Sequence, residues 1–315
     1  MANTTSRSAT ARYDANYGNF QTELYAEIRR EAFGEDIGQN SWLTSDEQDK
    51  FLEWLDLAPG KNLLDVACGA GGPALRIAAA TGCSVIGVDT HDQAIATACS
   101  LASQGGFSER AEFRAAEATG PLPFSDANFD AITCIDAINH LPDRPHVIAD
   151  WARVLKPGGR LLFTDPVTVT GALTNAEIEV RSLGGLYPFV PQGYDERILA
   201  QCGLELLVCE DVTANMAKAA EARRKARAAR SAALREIEGE SEYENQQEFL
   251  AVTARVAERG AFLASCMFRK SLASRKTVSG SDEFASSHDS DGDWHARCRR
   301  ACQTEDRVPT ASFCV

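Results

Sequence analysis

Between residues 62 and 166, short apolar runs alternate with helix-patterned stretches, and nothing else in the chain constrains its fold as tightly. The runs are NLLDVAC (62–68), CSVIGVD (83–89), AEFRAAEA (111–118), DAITCID (130–136) and RLLFTDP (160–166). The helical stretches include PALRIAAAT (73–81), with Pro73 suited to a first turn, HDQAIATACSLASQ (91–104) and PHVIADWARVLKPGG (145–159), which Pro157-Gly158-Gly159 stops. Apolar strands joined through helices argue for βαβ units: an α/β fold whose mostly parallel sheet is covered by helices on both faces.

Helical pattern also fills residues 13–60. FQTELYAEIRREAF sets Phe20, Leu24, Ile28 and Phe33 near one face, and SDEQDKFLEWLDL offers Ser45 as N-cap with Gln48 three residues on. After Pro166 comes a Gly-, Thr- and Pro-rich stretch, 167–192, expected to cover a site. A helix over 194–203, a strand over 204–213, two polar helices over 214–238 and 241–259 and a last strand over 261–270 follow. This divides the chain into a mobile N-terminus (1–12), N-terminal helices (13–60), a core (61–166), a cover (167–192 and 214–259) and, beyond Lys270, a segment (271–315) without apolar periodicity that reads as disordered.

The net charge of −13 repels nucleic-acid phosphates, so no nucleic-acid partner is expected. No apolar run approaches the ~18–20 residues of a spanning helix, and the first twenty residues lack a signal-type apolar core. The expectation is a cytoplasmic protein with no membrane partner; nothing specifies an oligomeric state. Ten cysteines without a C-x-x-C pair read as reduced small hydrophobes. His295, Cys298 and Cys302 have only a vaguely metal-like spacing, and no metal is expected.

The first strand runs into glycines: LLDVACGAGG, residues 63–72. Gly69 to Ala74 fits G-x-G-x-x-A, a dinucleotide fingerprint, and Asp89 follows at ribose-binding distance. Asp65 argues for a different ligand. Its carboxylate would oppose a pyrophosphate but suits a cationic, phosphate-free nucleoside. S-adenosylmethionine, with its sulfonium, ammonium and ribose diol, is such a molecule.

At these residues the chain resembles the class I S-adenosylmethionine-dependent methyltransferases. LLDVACGAGG is similar to their first motif, VIGVD with Asp89 to their ribose-binding acid, and AEATGPLPFSDANFD to their third-strand motif. DAITCIDAINHL and ARVLKPGGRLLFTDP resemble their fourth- and fifth-strand motifs. The resemblance covers residues 13–270. It implies a Rossmann-like seven-stranded sheet with an antiparallel last strand and a helical cap inserted before that strand. It also implies cofactor contacts from Asp65, Ala67, Cys68, Gly69, Gly71, Asp89, Thr90, Glu117, Ala118 and Asp136. The second half is somewhat similar to bacterial sarcosine/dimethylglycine N-methyltransferases.

Ligands of open α/β sheets sit beyond the carboxyl ends of the strands. That makes His140 a candidate proton acceptor and Asn139 a substrate-side residue, with Asp165 and Pro166 following strand five. Tyr17 in the N-terminal helices and Tyr187 on the cover are further substrate-side candidates, and Tyr13 and Trp42 are aromatic neighbours. The basic run Lys218, Arg223, Arg224, Lys225, Arg227, Arg230 and Arg235 reads as a solvated face paired with nearby glutamates. The resulting reading is methyl transfer from S-adenosylmethionine to a small-molecule N- or O-nucleophile. An NAD(P)-dependent oxidoreductase and a non-catalytic S-adenosylmethionine-binding protein are the alternatives. A base-amino methyltransferase is disfavoured because IDAI stands where those enzymes carry N/D-P-P-Y/F.

Overall fold

The computed structural model describes residues 13–14, 16–263 and 266–270. The expectations for residues 1–12 and 271–315, including His295, Cys298 and Cys302, lie outside the described residues. A short helical segment, α1, includes residues 13–14 and 16–18. The core then runs α2 (Glu23–Phe33), α3 (Ser45–Leu55), β1 (Asn62–Val66), α4 (Gly72–Thr81), β2 (Ser84–Asp89), α5 (Asp92–Gln104), β3 (Ala111–Ala115), β4 (Phe129–Cys134), α6 (Arg144–Val154) and β5 (Leu155–Phe163). The second half adds β6 (Thr168–Val169), α7 (Asn175–Arg181), β7 (Val190–Pro191), α8 (Tyr194–Gln201), β8 (Leu204–Cys209), α9 (Thr213–Ala229), α10 (Ser231–Glu238), α11 (Glu240–Glu258), β9 (Phe262–Leu263) and β10 (Cys266–Lys270).

The main sheet has the order β3-β2-β1-β4-β5-β10-β8. Strands β1 to β5 are mutually parallel, and β10 runs antiparallel between β5 and β8. The strand pleat sends alternate side chains to two cores. Leu64 and Val66 of β1 join Trp151, Ile148 and Leu199 of α6 and α8 on one face. Leu63 joins Phe51, Leu55, Ala74 and Ile77 of α3 and α4 on the other. Each of the buried leucine, isoleucine, valine and phenylalanine side chains contributes roughly 1.5–3 kcal/mol. A small second sheet, β7-β6-β9, ties the cover to the end of α11. No helix among the described residues is long and apolar enough to cross a membrane.

Several boundaries differ from the sequence expectations for identifiable reasons. The cap of α3 is one residue earlier. Thr44 accepts from the Glu47 N–H at 3.3 Å while Glu47 accepts from the Thr44 N–H at 2.9 Å, and Gln48 instead donates to the Pro73 carbonyl at 2.8 Å. Helix α6 stops at Val154 because strand β5 begins at Leu155, before the glycines. Phe129 faces Leu155 and Ala131 faces Arg160, so residues 156–159 bulge opposite Asp130 alone. The strand expected over 204–213 stops at Cys209, and the one expected over 261–270 is two strands belonging to different sheets.

The helix expected over 214–238 breaks at Arg230, whose φ of −113° and ψ of 23° leave the helical region. The break lets Arg227 meet Glu238, at 3.0 and 2.6 Å, with both side chains buried. In an unbroken helix those residues would stand ~16 Å apart along the axis.

Candidate active site

The site lies beyond the carboxyl ends of β1, β2, β4 and β5, and the glycine loop is its floor. The Cys68 N–H donates to the Val88 carbonyl at 3.0 Å, and the Gly71 N–H to the Cys68 carbonyl at 3.0 Å, which folds the loop back over β2. Gly69 and Gly71 have φ of 54° and 77°, which favour glycine. Close approach adds a second requirement: a Cβ on Gly69 would lie 2.7 Å from the Tyr17 hydroxyl, and one on Gly71 2.8 Å from the Phe113 ring. Ala67 and Asp136 take φ of 56° and 52° without being glycine, just past β1 and β4. Such conformations cost about 1–3 kcal/mol each and cluster at working sites.

Three carboxyl groups stand at neighbouring strand ends. Asp65 is buried and accepts from the Thr133 hydroxyl at 2.7 Å. Asp89 accepts from the N–H groups of Gly69 and His91, both at 2.9 Å. Those two bonds leave lone pairs on each oxygen, enough for a ribose diol. Asp136 accepts from the Trp42 N–H at 2.7 Å and the Thr164 hydroxyl at 2.6 Å. None of the three has a Lys, Arg or His within ion-pair distance among the described residues. Burial pushes the Asp65 carboxyl up to about 7, against the Thr133 bond and with help from Asp89. Burial likewise lifts Asp136 to about 6, against bonds from Thr164 and Trp42. An acidic floor without cations of its own fits a positively charged nucleoside and opposes a pyrophosphate.

The N-terminal segment closes over this floor. Tyr17 is buried against Gly69 and bonds to Asn40, and burial next to Asp89 lifts its phenol far above the usual range. Asp14 reaches His91 at 2.9 Å, and the His91 ring lies 4.9 Å from that of Tyr17.

A cavity of about 70 Å³ lies alongside, lined by Tyr13, Asn16, Asn40, Ser41, Trp42, Asp136, Asn139, His140, Pro166, Arg181, Tyr187, Arg223, Phe249 and Leu250. The Tyr13 hydroxyl stands 3.2 Å from His140 Nε2 and 2.7 Å from the Tyr187 hydroxyl. The His140 and Tyr187 rings pack edge to face at 4.6 Å. Asn139 is 3% exposed, and its Oδ1 is buried without a hydrogen-bond partner among the described residues. Behind this wall, Arg144 donates to Asp165 at 2.7 Å and to Asp195 at 2.6 Å, all three buried, fixing the end of β5 next to Pro166.

The structure thus brings Asn139, His140, Tyr187 and Asp136 to one cavity, and Asp65, Ala67, Cys68, Gly69, Gly71 and Asp89 to one loop system. Tyr17 lies on the loop rather than in the cavity. Thr90 and Glu117 are exposed, Glu117 folding back to accept from Thr119, and Ala118 is buried in the core. Strand β3 ends at Ala115, so these last two follow it. Sequence reasoning missed Arg181, Phe249, Asn16 and Asn40. It placed Arg223 on a solvated face, whereas Arg223 lines the cavity and Arg227 is buried. Others of the run pair with acids: Arg224 and Lys225 with Glu221, Arg235 with Glu240 and Glu244, and Arg230 with Glu27 and Glu31 of α2; of these and Arg227, only Arg235 and Arg227 meet the glutamates expected from the sequence.

Comparison with known proteins agrees with this geometry. A methyltransferase-domain family matches residues 57–192. The 27-O-demethylrifamycin SV methyltransferase of Amycolatopsis mediterranei is 33% identical over 204 residues, 61% of this chain and 74% of that protein. The sterol 24-C-methyltransferase ERG6 of Saccharomyces cerevisiae is 32% identical over 163 residues, 50% of this chain but only 42% of that one. Among solved structures, a Galdieria sulphuraria protein provisionally named a sarcosine dimethylglycine methyltransferase superposes with a TM-score of 0.67 at 21% identity, over 73% of this chain and 86% of that one. The phosphoethanolamine N-methyltransferase 2 of Haemonchus contortus, in complex with S-adenosyl-L-methionine, gives 0.66 at 20% identity, over 81% and 59%. With an acidic, phosphate-averse floor under a glycine loop and this set of relatives, the chain belongs to the class I S-adenosylmethionine-dependent methyltransferases.

Proposed function

We propose that the chain moves a methyl group to an O–H or N–H nucleophile of a small molecule held in the cavity beside Asn139 and His140. Bound S-adenosylmethionine supplies an activated methyl on a sulfonium, so the protein's work is to align the nucleophile and receive its proton. The carboxyls of Asp65, Asp89 and Asp136 and the loop from Ala67 to Gly71 are the residues that would hold this cofactor.

The observation that carries the choice of nucleophile is the buried, unpartnered Oδ1 of Asn139 on the cavity wall. A buried polar atom left in that state costs about 1–3 kcal/mol, and an acceptor with a hydrogen to donate removes the cost. A carbon nucleophile has none. His140, held by the Tyr13 hydroxyl, stands next in the chain to receive the proton. The relatives' names include O-methylation and C-methylation, and the Asn139 wall supports the first of these.

The test is to incubate the protein with S-adenosylmethionine and a panel of phenols, alcohols, amines and isoprenoid alkenes, with mass spectrometry as readout. Uptake by O–H or N–H compounds is expected, and His140→Ala should lower it by ~10²–10⁴-fold. Methylation confined to alkene carbons, or His140→Ala at full rate, would overturn the reading.

A further inference from the structure

We propose that two copies of this chain pair through the outer edge of β3, antiparallel about a two-fold axis at Phe113, with Glu112 of each copy facing Arg114 of the other.

Strand β3 closes one end of the main sheet, and among the described residues it pairs with β2 alone. The ladder shows which backbone groups face outward. The Arg110 carbonyl accepts from the Val85 N–H at 2.7 Å, and the Ala116 N–H donates to the Asp89 carbonyl at 3.0 Å, so Arg110 and Ala116 turn to β2. By the alternation of the strand, the backbone groups of Ala111, Phe113 and Ala115 turn to the other side. The Ala111 N–H donates to the Phe107 carbonyl at 2.8 Å, and the Phe113 carbonyl accepts from the Cys99 thiol at 3.6 Å with one of its two lone pairs. The N–H groups of Phe113 and Ala115 and the carbonyls of Ala111 and Phe113 can still join a further strand.

This edge lacks the usual guards against pairing. Its sequence, AEFRA, has neither Pro nor Lys, and its register with β2 runs without a bulge from Ala111 to Ala115. Ala96, Cys99 and Ser103 share the face of α5 next to it, and all three are small and exposed, so a strand can approach. Lys270, the last described residue, pairs with Leu204 of β8, at the opposite end of the sheet.

Charge selects the occupant. Glu112 and Arg114 flank Phe113 on one face, 3.5 Å apart, with side chains 62% and 38% exposed. Read backwards with its charges inverted, AEFRA is unchanged, so a second copy is its complement. Centred on Phe113, an antiparallel pairing makes Phe113 and its copy a hydrogen-bonded pair, and the Ala115 N–H meets the Ala111 carbonyl of the other chain. Glu112 then faces Arg114 across the closer, non-hydrogen-bonded positions, with Cα atoms ~4.5 Å apart. The axis makes each of these contacts twice. A strand this short buries little surface, so the dimer should be weak, with a Kd of ~1–100 μM.

The test is sedimentation equilibrium of the full chain from ~1 to ~200 μM, where a reversible dimer is expected. Glu112→Arg sets Arg against Arg, and Arg114→Glu sets Glu against Glu; each should weaken the dimer at least ~10-fold. Mixed in equal amounts, the two variants should form a heterodimer about as tight as the parent dimer, because every pair is then of opposite charge. Melting followed by circular dichroism checks that each variant is folded. Arg114 also lies over the Phe124 ring, at 4.8 Å, so Glu112→Arg carries the test if Arg114→Glu does not fold. A parent that stays monomeric at ~200 μM, a dimer undiminished by Glu112→Arg, or folded variants that fail to associate when mixed would overturn the proposal.

Discussion

Asp65 shows how a single buried carboxyl can be costly to the folded protein, a cost that the proposed binding of a cationic cofactor would offset. Its folded-state value of about 7 lies above the ordinary carboxylate range because burial opposes the charge. The protonated form is therefore favoured in the fold. The stability cost is absent below pH ~4, grows as pH rises towards 7, and is fully present above it. Asp65→Asn should raise the melting stability of the cofactor-free protein at pH 8 by about 2–4 kcal/mol. The same change should weaken S-adenosylhomocysteine binding and flatten its pH dependence. In the parent protein that affinity should increase between pH 5 and 8, as Asp136 (about 6) and then Asp65 (about 7) ionise. Calorimetry in buffers of different ionisation enthalpy would detect the released protons. Asp65 was legible in the sequence because a carboxylate inside an apolar run is conspicuous. Thr133 and Thr164, which hold the acids, look like ordinary strand residues. Arg181 and Arg223 were hidden because a charged helix position does not reveal which side will meet a cavity.

At the scale of elements, the buried cluster of Arg144, Asp165 and Asp195 pins α6, the end of β5 and α8 together. Burial and the Asp165 charge push the Asp195 carboxyl up to about 7, while Arg144 draws it down. Arg144→Met would leave two buried acids without a cation and should cost about 3–5 kcal/mol in urea unfolding. Adding Asp195→Asn should restore part of that loss, since one of the two acids is then neutral. If the single substitution is silent, the cluster does not hold these elements.

Strands were the legible elements, because β1, β2 and β4 are short apolar runs and a parallel sheet admits little else. Ends were less so. Thr44 and Ser45 are both good caps, and only the position of Glu47 decides between them. At the break Arg230 pairs with Glu27 and Glu31, partners about two hundred residues away that no local pattern can announce, and Arg227 with Glu238 just beyond it.

Across the whole molecule, the covering of the site is shared between the first described residues and the cap. Tyr13, Asn16 and Tyr17 roof the strand ends from one side, and Arg223, Phe249 and Leu250 from the other. The cavity between them measures about 70 Å³, against the ~300–1,000 Å³ of ordinary small-molecule pockets. Removing residues 1–20 should leave a cooperative unfolding transition, because both main cores lie elsewhere. It should weaken S-adenosylhomocysteine at least ~10-fold, through loss of the Tyr17 cover. Unchanged affinity would show that this segment takes no part in retention.

The order of the main sheet also bears on synthesis. Strand β10 is threaded between β5 and β8, and among the described residues β8 pairs with no other strand of that sheet. While a ribosome is still making α11, the emerging polypeptide therefore leaves bare the two hydrogen-bonding edges that β10 will fill, one on β5 and one on β8. Arrest of translation before Cys266 would leave both edges open to strands from neighbouring nascent chains, and premature stops in this region should yield inclusion bodies rather than a shortened enzyme.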